Sequence, residues 1–206
     1  MKAVALAGSE DALRQCIVGG GVAVFPTDTV YGLCCDPENA EAVRRLYGLK
    51  GREPDKPAAL LCFSLAVALA LLPELSERVG DALRALLPGP VTLLLANPRR
   101  RFPLTGGELL GLRVIDVGMS FDLPVLQSSA NRSGEPDRRR LEDVPLAIRD
   151  RADLVIDGGE LPGVASTVVD LSRLDLDGSW RVVRHGALGE RVVAARLGPP
   201  NGGSAT

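Results

Sequence analysis

The cations of the chain are unevenly distributed, and this points to a binding site. The sequence has 21 arginines and three lysines, and two of these, Lys50 and Lys56, lie in the segment K-G-R-E-P-D-K at 50–56. A lysine supplies a compact point charge and an arginine a two-pronged donor, so the two together suit a polyphosphate. The segment predicts a phosphate-binding loop. The alternative is a solvated charged loop after a helix.

Two polar segments follow directly after strand-like stretches, where α/β proteins commonly bind ligands. They are P-T-D-T-V-Y-G-L at 26–33 and S-S-A-N-R-S-G at 128–134. Small hydroxyl and amide side chains let a phosphate or ribose approach the backbone closely. S-T-V-V-D at 166–170 and R-H-G at 184–186 are weaker signals of the same kind. Each could instead be an ordinary turn or polar loop, and His185 is interpreted as a surface residue.

Composition excludes several classes of site. With one histidine and no C-x-x-C pair among the four cysteines, the chain offers no standard zinc motif. Walker, Rossmann and nucleophile-elbow motifs are absent from the sequence. A net charge of -2 gives no sign of nucleic acid as an obligatory partner.

The same composition bears on where the protein works. The cysteines are expected to be buried thiols of a reducing compartment, which favours a cytoplasmic location. No signal peptide is expected at the start of the chain. The apolar run at 58–72 is shorter than a bilayer requires, so no membrane association is predicted.

The elements needed to position these residues alternate between helix and strand patterns. A length of 206 residues indicates one domain, predicted over 1–197, with a disordered tail over 198–206. Because short turns join several strand pairs, the class is α/β with a twisted, open, mixed sheet and flanking helices. Helices are predicted over 10–18, 39–47, 74–87, 141–149 and 188–197, and strands over 22–25, 58–63, 91–95, 112–115, 124–127, 154–156, 167–171 and 181–183.

Taken together, the polar segments resemble the threonylcarbamoyl-AMP synthase family, whose members have the YrdC-like fold. The resemblance covers about residues 9–197 and is to the short bacterial form. It rests on seven segments in the family's order and spacing: those at 26–33, 50–57, 89–92 (G-P-V-T), 111–114 (G-L-R-V), 128–134, 166–170 and 184–186.

The resemblance implies an L-threonylcarbamoyladenylate synthase, a nucleotidyltransferase. Its substrates would be L-threonine, bicarbonate or CO₂, and ATP with Mg²⁺, and its products threonylcarbamoyl-AMP and pyrophosphate. Downstream tRNA-modification proteins would use the product, and no resident metal site is expected.

The residue roles that follow are also carried by the resemblance. Lys50 and Arg52 would be the catalytic residues, and replacing either by alanine is expected to abolish most adenylate formation while leaving the fold intact. ATP would be bound by Lys50, Arg52, Asn131, Ser133 and Arg184. Threonine would be bound by Thr27, Arg113, Ser129 and Ser166, with Arg113 as a fork for the carboxylate.

Two departures from the family pattern keep other interpretations open. Leu61 stands where many relatives have a histidine, and the charged segment at 135–140 replaces small and hydroxyl residues. The alternatives are a paralogue of the same fold that uses a different carbamoyl or acyl substrate, or an RNA-binding module. In the second case the arginines at 99–101 and 138–140 would contact phosphates.

Overall fold

The computed structural model describes residues 3–51 and 58–199 of the chain. Within this part, ten strands alternate with seven helices and one 3₁₀ turn, Leu141–Asp143. The strands are β1 Val4–Ala5, β2 Ala23–Pro26, β3 Tyr31–Cys35, β4 Ala59–Cys62, β5 Val91–Ala96, β6 Leu109–Val114, β7 Val125–Ser129, β8 Leu154–Asp157, β9 Thr167–Asp170 and β10 Arg181–Arg184. The helices are α1 Glu10–Val18, α2 Ala40–Lys50, α3 Leu65–Leu71, α4 Glu77–Leu86, α5 Leu146–Arg149, α6 Leu174–Asp177 and α7 Glu190–Leu197.

All ten described strands form one mixed sheet, in the order β1-β8-β2-β3-β7-β4-β6-β5-β9-β10. β8 runs parallel to both β1 and β2, β4 is parallel to β6, and β5 is parallel to β9. The remaining neighbours are antiparallel. The predicted fold class, a single α/β unit with an open mixed sheet and flanking helices, is confirmed.

One face of this sheet is covered along most of its length. Alternate residues point to opposite faces of a strand, and Leu60, Leu93 and Leu112 all point to the covered face, under α3 and α4. The same face continues across β7 and β3, where α2 and α5 cover it. These two apolar clusters account for most of the buried hydrophobic side chains of the described residues.

The opposite face is covered over one half only. There α1 and the loop at 115–123 bury Phe25, Cys34, Leu61 and Val125. Farther along the sheet the residues on this face become small or polar, as at Ala59, Gly111 and Thr92. The uncovered half is therefore a polar floor at the level of β7, β4, β6, β5 and β9.

The end of α2 shows how local sequence positions one site residue. The helix begins after Asn39, whose side chain accepts hydrogen bonds from the backbone N–H groups of Glu41 and Ala42. It ends at Gly51, which is left-handed with φ 59°, a conformation that glycine adopts without strain. Lys50 is thereby the last helical residue and points into the protein rather than along a loop.

The sequence did not predict the short elements β1 and α6, and two longer segments differ from their prediction. The segment 31–35 is a buried strand, β3, although the sequence predicted a polar loop there, because the motif's hydroxyls end at Thr29 and Y-G-L-C-C then continues as a hairpin with β2. The helix predicted over 141–149 is split by Pro145 into a 3₁₀ turn and α5. Of the predicted tail, Gly198 accepts a hydrogen bond from the Trp180 indole. Residues 200–206 lie outside the described residues.

Candidate functional site

The uncovered half of the sheet carries a cleft of about 250 Å³. Five adjacent strands supply most of its floor because their small or polar residues face the side that lacks a helix. Its lining residues are Thr29, Val30, Ala58, Ala59, Thr92, Leu94, Gly111, Arg113, Gln127, Ser128, Ser129, Asp137, Ala165, Ser166, Val168 and Arg184.

Arg113 is the most deeply buried charge in the cleft, with 4% of its surface exposed. Its Nη2 donates to Asp28 Oδ1 at 2.7 Å and to Thr29 Oγ1 at 3.0 Å, and its Nη1 donates to Gln127 Oε1 at 3.1 Å. Burial lowers the pKa of Arg113 and raises the pKa of Asp28, although each charge opposes the shift of the other. The pair is thus preorganised at an energetic cost, as is common where charge is used.

A second arginine lies across the cleft on β10. Arg184 Nη2 donates to the backbone oxygen of Ser166 at 2.8 Å and to its Oγ at 3.1 Å. The Ser166 hydroxyl in turn lies 2.8 Å from that of Thr92. The charge of Arg184 adds to the effect of burial in lowering the pKa of Arg113. Two guanidinium groups therefore face one polar hollow, which favours an anionic ligand.

Lys50 forms a cationic corner next to the cleft. The residue is 3% exposed, and its Nζ donates to Asn131 O at 2.9 Å, to Asn131 Oδ1 at 3.0 Å and to the backbone oxygen of Ser129. The backbone N–H of Ser133 donates to Lys50 O at 2.9 Å, so the loop after β7 is tied to the end of α2. Lys50 is therefore not solvated, while the rest of the segment that carried the alternative of a solvated charged loop, 52–56, lies outside the described residues.

All the predicted site residues except Thr27 fall into three groups. Arg113, Ser129, Ser166 and Arg184 line the cleft itself. Lys50, Asn131 and Ser133 form the corner that Ser129 joins to it. Arg52 lies outside the described residues. The roles assigned to all of these residues stay predictions.

Thr27 is the predicted residue, among those that the structure describes, that belongs neither to the cleft lining nor to the corner formed by Lys50, Asn131 and Ser133. Its hydroxyl donates to Val30 O at 2.7 Å and accepts from the backbone N–H groups of Thr29 and Val30. The side chain thereby stabilises the turn between β2 and β3. Thr29, two residues later, is the threonine of this turn that reaches the cleft.

Gln127 is a cleft residue that the sequence interpretation did not single out. It is 4% exposed and lies on β7 two residues before Ser129, so both residues point to the same face. A Cβ on Gly32 of the neighbouring strand would lie 2.8 Å from Gln127 Nε2, so the glycine leaves room for the carboxamide. A polar residue within an apolar strand, two positions from a predicted site serine, was the available signal.

Five of the six arginines considered as RNA contacts lie within 4.0 Å of an acidic side chain. Arg138 binds Glu135, and both Arg139 and Arg140 bind Glu160. Arg100 and Arg101 lie within 4.0 Å of Glu108 and Glu74. In the part of the chain that the structure describes, the arginines at 138–140 are therefore charge-compensated, whereas Arg99 in the other segment makes no ion pair.

Two further properties of the described residues bear on the class of site. Over residues 3–51 and 58–199, no group of three or more histidine, cysteine or acidic side chains could hold a metal ion. Over the same residues, no helix has the length and apolar character needed to cross a membrane.

A family model named Sua5/YciO/YrdC and described as telomere recombination matches residues 15–186 of the chain. The chain belongs to the Sua5/YciO/YrdC family. The resemblance inferred from the seven segments is confirmed. Curated relatives named threonylcarbamoyl-AMP synthase include the protein of Homo sapiens, 33% identical over 91% of this chain and 72% of that protein. The protein of Chromohalobacter salexigens is 35% identical over 81% of this chain and 92% of its own length.

Other members of the Sua5/YciO/YrdC family are longer. The chain spans about half the length of the Bacillus subtilis threonylcarbamoyl-AMP synthase, covering 53% of it at 30% identity. Among solved structures, P. abyssi Sua5 complexed with L-threonine superposes with a TM-score of 0.79 at 28% identity, over 92% of this chain and 57% of that one. YciO of E. coli gives a TM-score of 0.70 at 25% identity, over 89% and 91% of the two chains.

Proposed function

We propose that the protein is an L-threonylcarbamoyladenylate synthase, an enzyme of the nucleotidyltransferase class. It joins L-threonine, CO₂ and ATP into threonylcarbamoyl-AMP and releases pyrophosphate. The relatives named threonylcarbamoyl-AMP synthase support this activity, and the solved complex of a relative with L-threonine supports the amino-acid substrate.

The observation that carries the proposal is the convergence of three cations on one hollow. Arg113 and Arg184 line the cleft, and Lys50 is bound to the backbone of Ser129 at its edge. A volume of about 250 Å³ is below the roughly 300–1,000 Å³ usual for larger ligands, so an amino acid and the reacting phosphate would fill it. The rest of the nucleotide would lie along the corner of Lys50, Asn131 and Ser133.

The chemistry requires positioning more than proton transfer. The amine of threonine forms a C–N bond to CO₂, which is supplied free or from bicarbonate by loss of hydroxide, and it releases a proton to give a carbamate. A carbamate oxygen then attacks the α-phosphorus, and the bond to the β-phosphate oxygen breaks as pyrophosphate leaves. Negative charge builds up on the phosphates, so fixed cations supply the main stabilisation.

The cations divide between the two substrates in this proposal. Lys50 and Arg52 neutralise the phosphates, with Asn131, Ser133 and Arg184 on the nucleotide. Arg113, Ser129 and Ser166 surround the threonine. Thr27 acts by holding the turn that presents Thr29. Mg²⁺ enters as the ATP complex, because the ion keeps much of its water and needs few protein ligands when phosphates supply oxygens.

The wider setting is part of the same proposal. The product is a reactive mixed anhydride, so a downstream protein must transfer the threonylcarbamoyl group, here to tRNA. A cytoplasmic, reducing environment is supported by the four cysteines, which are all free thiols.

The decisive experiment is pyrophosphate release from ATP with bicarbonate and a panel of amino acids. We expect release that needs both threonine and bicarbonate and is at least tenfold slower with serine, valine or no amino acid. Release with another amino acid alone would assign a different substrate. No release with any amino acid, together with RNA binding that weakens steeply with salt, would favour the RNA-binding alternative.

A further inference from the structure

The guanidinium of Arg113 has little capacity left for a ligand. Arginine has five N–H groups and no acceptor. Both N–H groups of Nη2 are used, by Asp28 and Thr29, and one of Nη1 is used by Gln127. Nε is fully enclosed and has no hydrogen-bond partner among the described residues. One Nη1 N–H therefore remains for a bound molecule. A bidentate contact with a carboxylate requires two N–H groups, so Arg113 alone cannot make one.

Gln127 carries a free donor in the same cleft as that remaining N–H. Because arginine only donates, the carboxamide must present Oε1 to Arg113, and this leaves the two N–H groups of Nε2 at the other end. Nε2 makes no hydrogen bond to any described residue, and it is not among the fully enclosed polar atoms that lack a partner. Gln127 lines the cleft, and its Nε2 lies against Gly32 of β3, 2.8 Å from where a Cβ of that residue would stand. The 3.1 Å hydrogen bond between Arg113 Nη1 and Gln127 Oε1 keeps this free donor within one carboxamide of the free Nη1 N–H.

We infer that Gln127 Nε2 and the free Nη1 N–H of Arg113 together form the clamp for the substrate carboxylate. This inference rests on the proposed function, which makes the ligand an α-amino acid. Arg113 provides the charge and one donor, and Gln127 provides the second donor and holds the guanidinium at the angle the clamp needs. Gln127 is thus a specificity residue for the carboxylate group.

The protein offers a direct test because it contains two glutamines, Gln15 and Gln127. Protein labelled with ¹⁵N in its glutamine side chains gives two pairs of amide signals by NMR. The Gln15→Glu variant on α1 removes one pair and so assigns the other to Gln127. We expect saturating L-threonine to shift the Gln127 signals and L-threoninol, which lacks the carboxylate, to leave them in place. Signals that stay in place with bound threonine would overturn the clamp.

A substitution provides a second test of the clamp. Gln127→Glu keeps an oxygen acceptor for Arg113 but loses both Nε2 donors and places a negative charge beside the carboxylate. The dissociation constant for L-threonine, measured by calorimetry, should rise about 10- to 100-fold, as expected for loss of a hydrogen bond to a charged group. That for L-threoninol should change less than about twofold. The new charge by itself also repels the carboxylate, so direct contact is identified by the amide shift in the NMR experiment, and an unchanged threonine-to-threoninol ratio in this variant would overturn the clamp.

Controls distinguish failure of the clamp from failure of the proposed function. Gln15→Glu adds the same charge at an exposed helical position and should bind threonine as the unmodified protein does. If Gln127→Glu does not fold, Gln127→Met, which is similar in size but has no amide, should show the same selective loss of threonine affinity. If the unmodified protein itself binds no threonine, the proposed function is wrong. If it binds threonine and the folded variant binds it equally well, only the clamp is wrong.

Discussion

Lys50 combines a structural and a chemical role in one ammonium group. Its Nζ serves the backbone oxygens of Ser129 and Asn131, so its removal leaves buried acceptors without a donor. We expect Lys50→Met to lower the free energy of unfolding by about 1–3 kcal/mol and the rate of pyrophosphate release by ~100-fold or more. Urea unfolding and the release assay measure the two effects separately.

The matched control lies on the same helix. Arg44 is exposed on α2, so Arg44→Met should leave both measurements unchanged. If Lys50→Met is inactive but as stable as the unmodified protein, Lys50 has no structural role, which is what the sequence analysis expected. A stable and fully active variant would contradict both roles.

The sequence could identify site residues whose chemistry is local and missed those that depend on a neighbour. Arg113, Ser166 and Arg184 were found because they stand in recognisable segments. Gln127 gains its importance from Arg113, which lies 14 residues away in the chain and on a different strand. The same limit applies to the turn at 27–30, where the hydrogen bonds that occupy Thr27 and leave Thr29 at the cleft are visible only once the hairpin is formed.

At the scale of the element, α2 contains a glycine with no evident packing role. Gly48 is exposed in the last turn, and a Cβ there would have no atom within 4 Å. Because glycine disfavours the helical state relative to alanine, Gly48→Ala should raise the free energy of unfolding by up to about 1 kcal/mol. Pyrophosphate release should be unchanged, since the position of Lys50 does not depend on it. Chemical denaturation provides the measurement.

The neighbouring Gly51 is the natural contrast for this experiment. Its φ of 59° is strained for alanine, so Gly51→Ala should destabilise the protein by about 1 kcal/mol although the substitution is the same. A stabilising Gly51→Ala would mean that the left-handed end of α2 does not control how the chain leaves Lys50.

Patterns of hydrophobic residues predicted most elements and failed where a motif or a proline intervened. Helix α1 has the predicted bounds, and β4, β5 and β8 differ by one or two residues. β3 was not predicted because Y-G-L-C-C is buried on both faces of the sheet and therefore lacks the alternation of polar and apolar residues that marks a half-buried strand. The order of strands in the sheet could not be predicted, since β7 inserts between β3 and β4. Its residue Leu126 pairs with Cys35 and Leu60, which lie 91 and 66 residues earlier in the chain.

At the scale of the whole molecule, the reactivity of the four cysteine thiols measures how readily the hydrophobic clusters open. Burial raises the pKa of Cys35 and Cys62 to about 12, holds that of Cys34 well above its usual range, and with the charge of Asp153 raises that of Cys16 to about 11. The thiolate is the reactive form, and its fraction at Cys16 rises about tenfold for each pH unit up to about 11. We expect slow labelling of Cys16 alone by a thiol reagent at pH 8, and of all four cysteines in denaturant.

The assignment of that slow reaction is checked by Cys16→Ser, which should leave the native protein unlabelled. Rapid labelling of two or more thiols in native buffer would show that the clusters around Cys34, Cys35 and Cys62 open far more readily than their burial implies.

The uncovered half of the sheet has a consequence for how such a protein can diverge. The side chains that hold the chain together point to the covered face or lie under α1, whereas Ala59, Gly111, Thr92 and Ser166 on the bare half belong to none of the hydrophobic clusters. Exchanges at these positions alter what the hollow accepts while leaving the cores untouched. Natural variants can therefore change which ligand the cleft binds through few substitutions and with little loss of thermal stability.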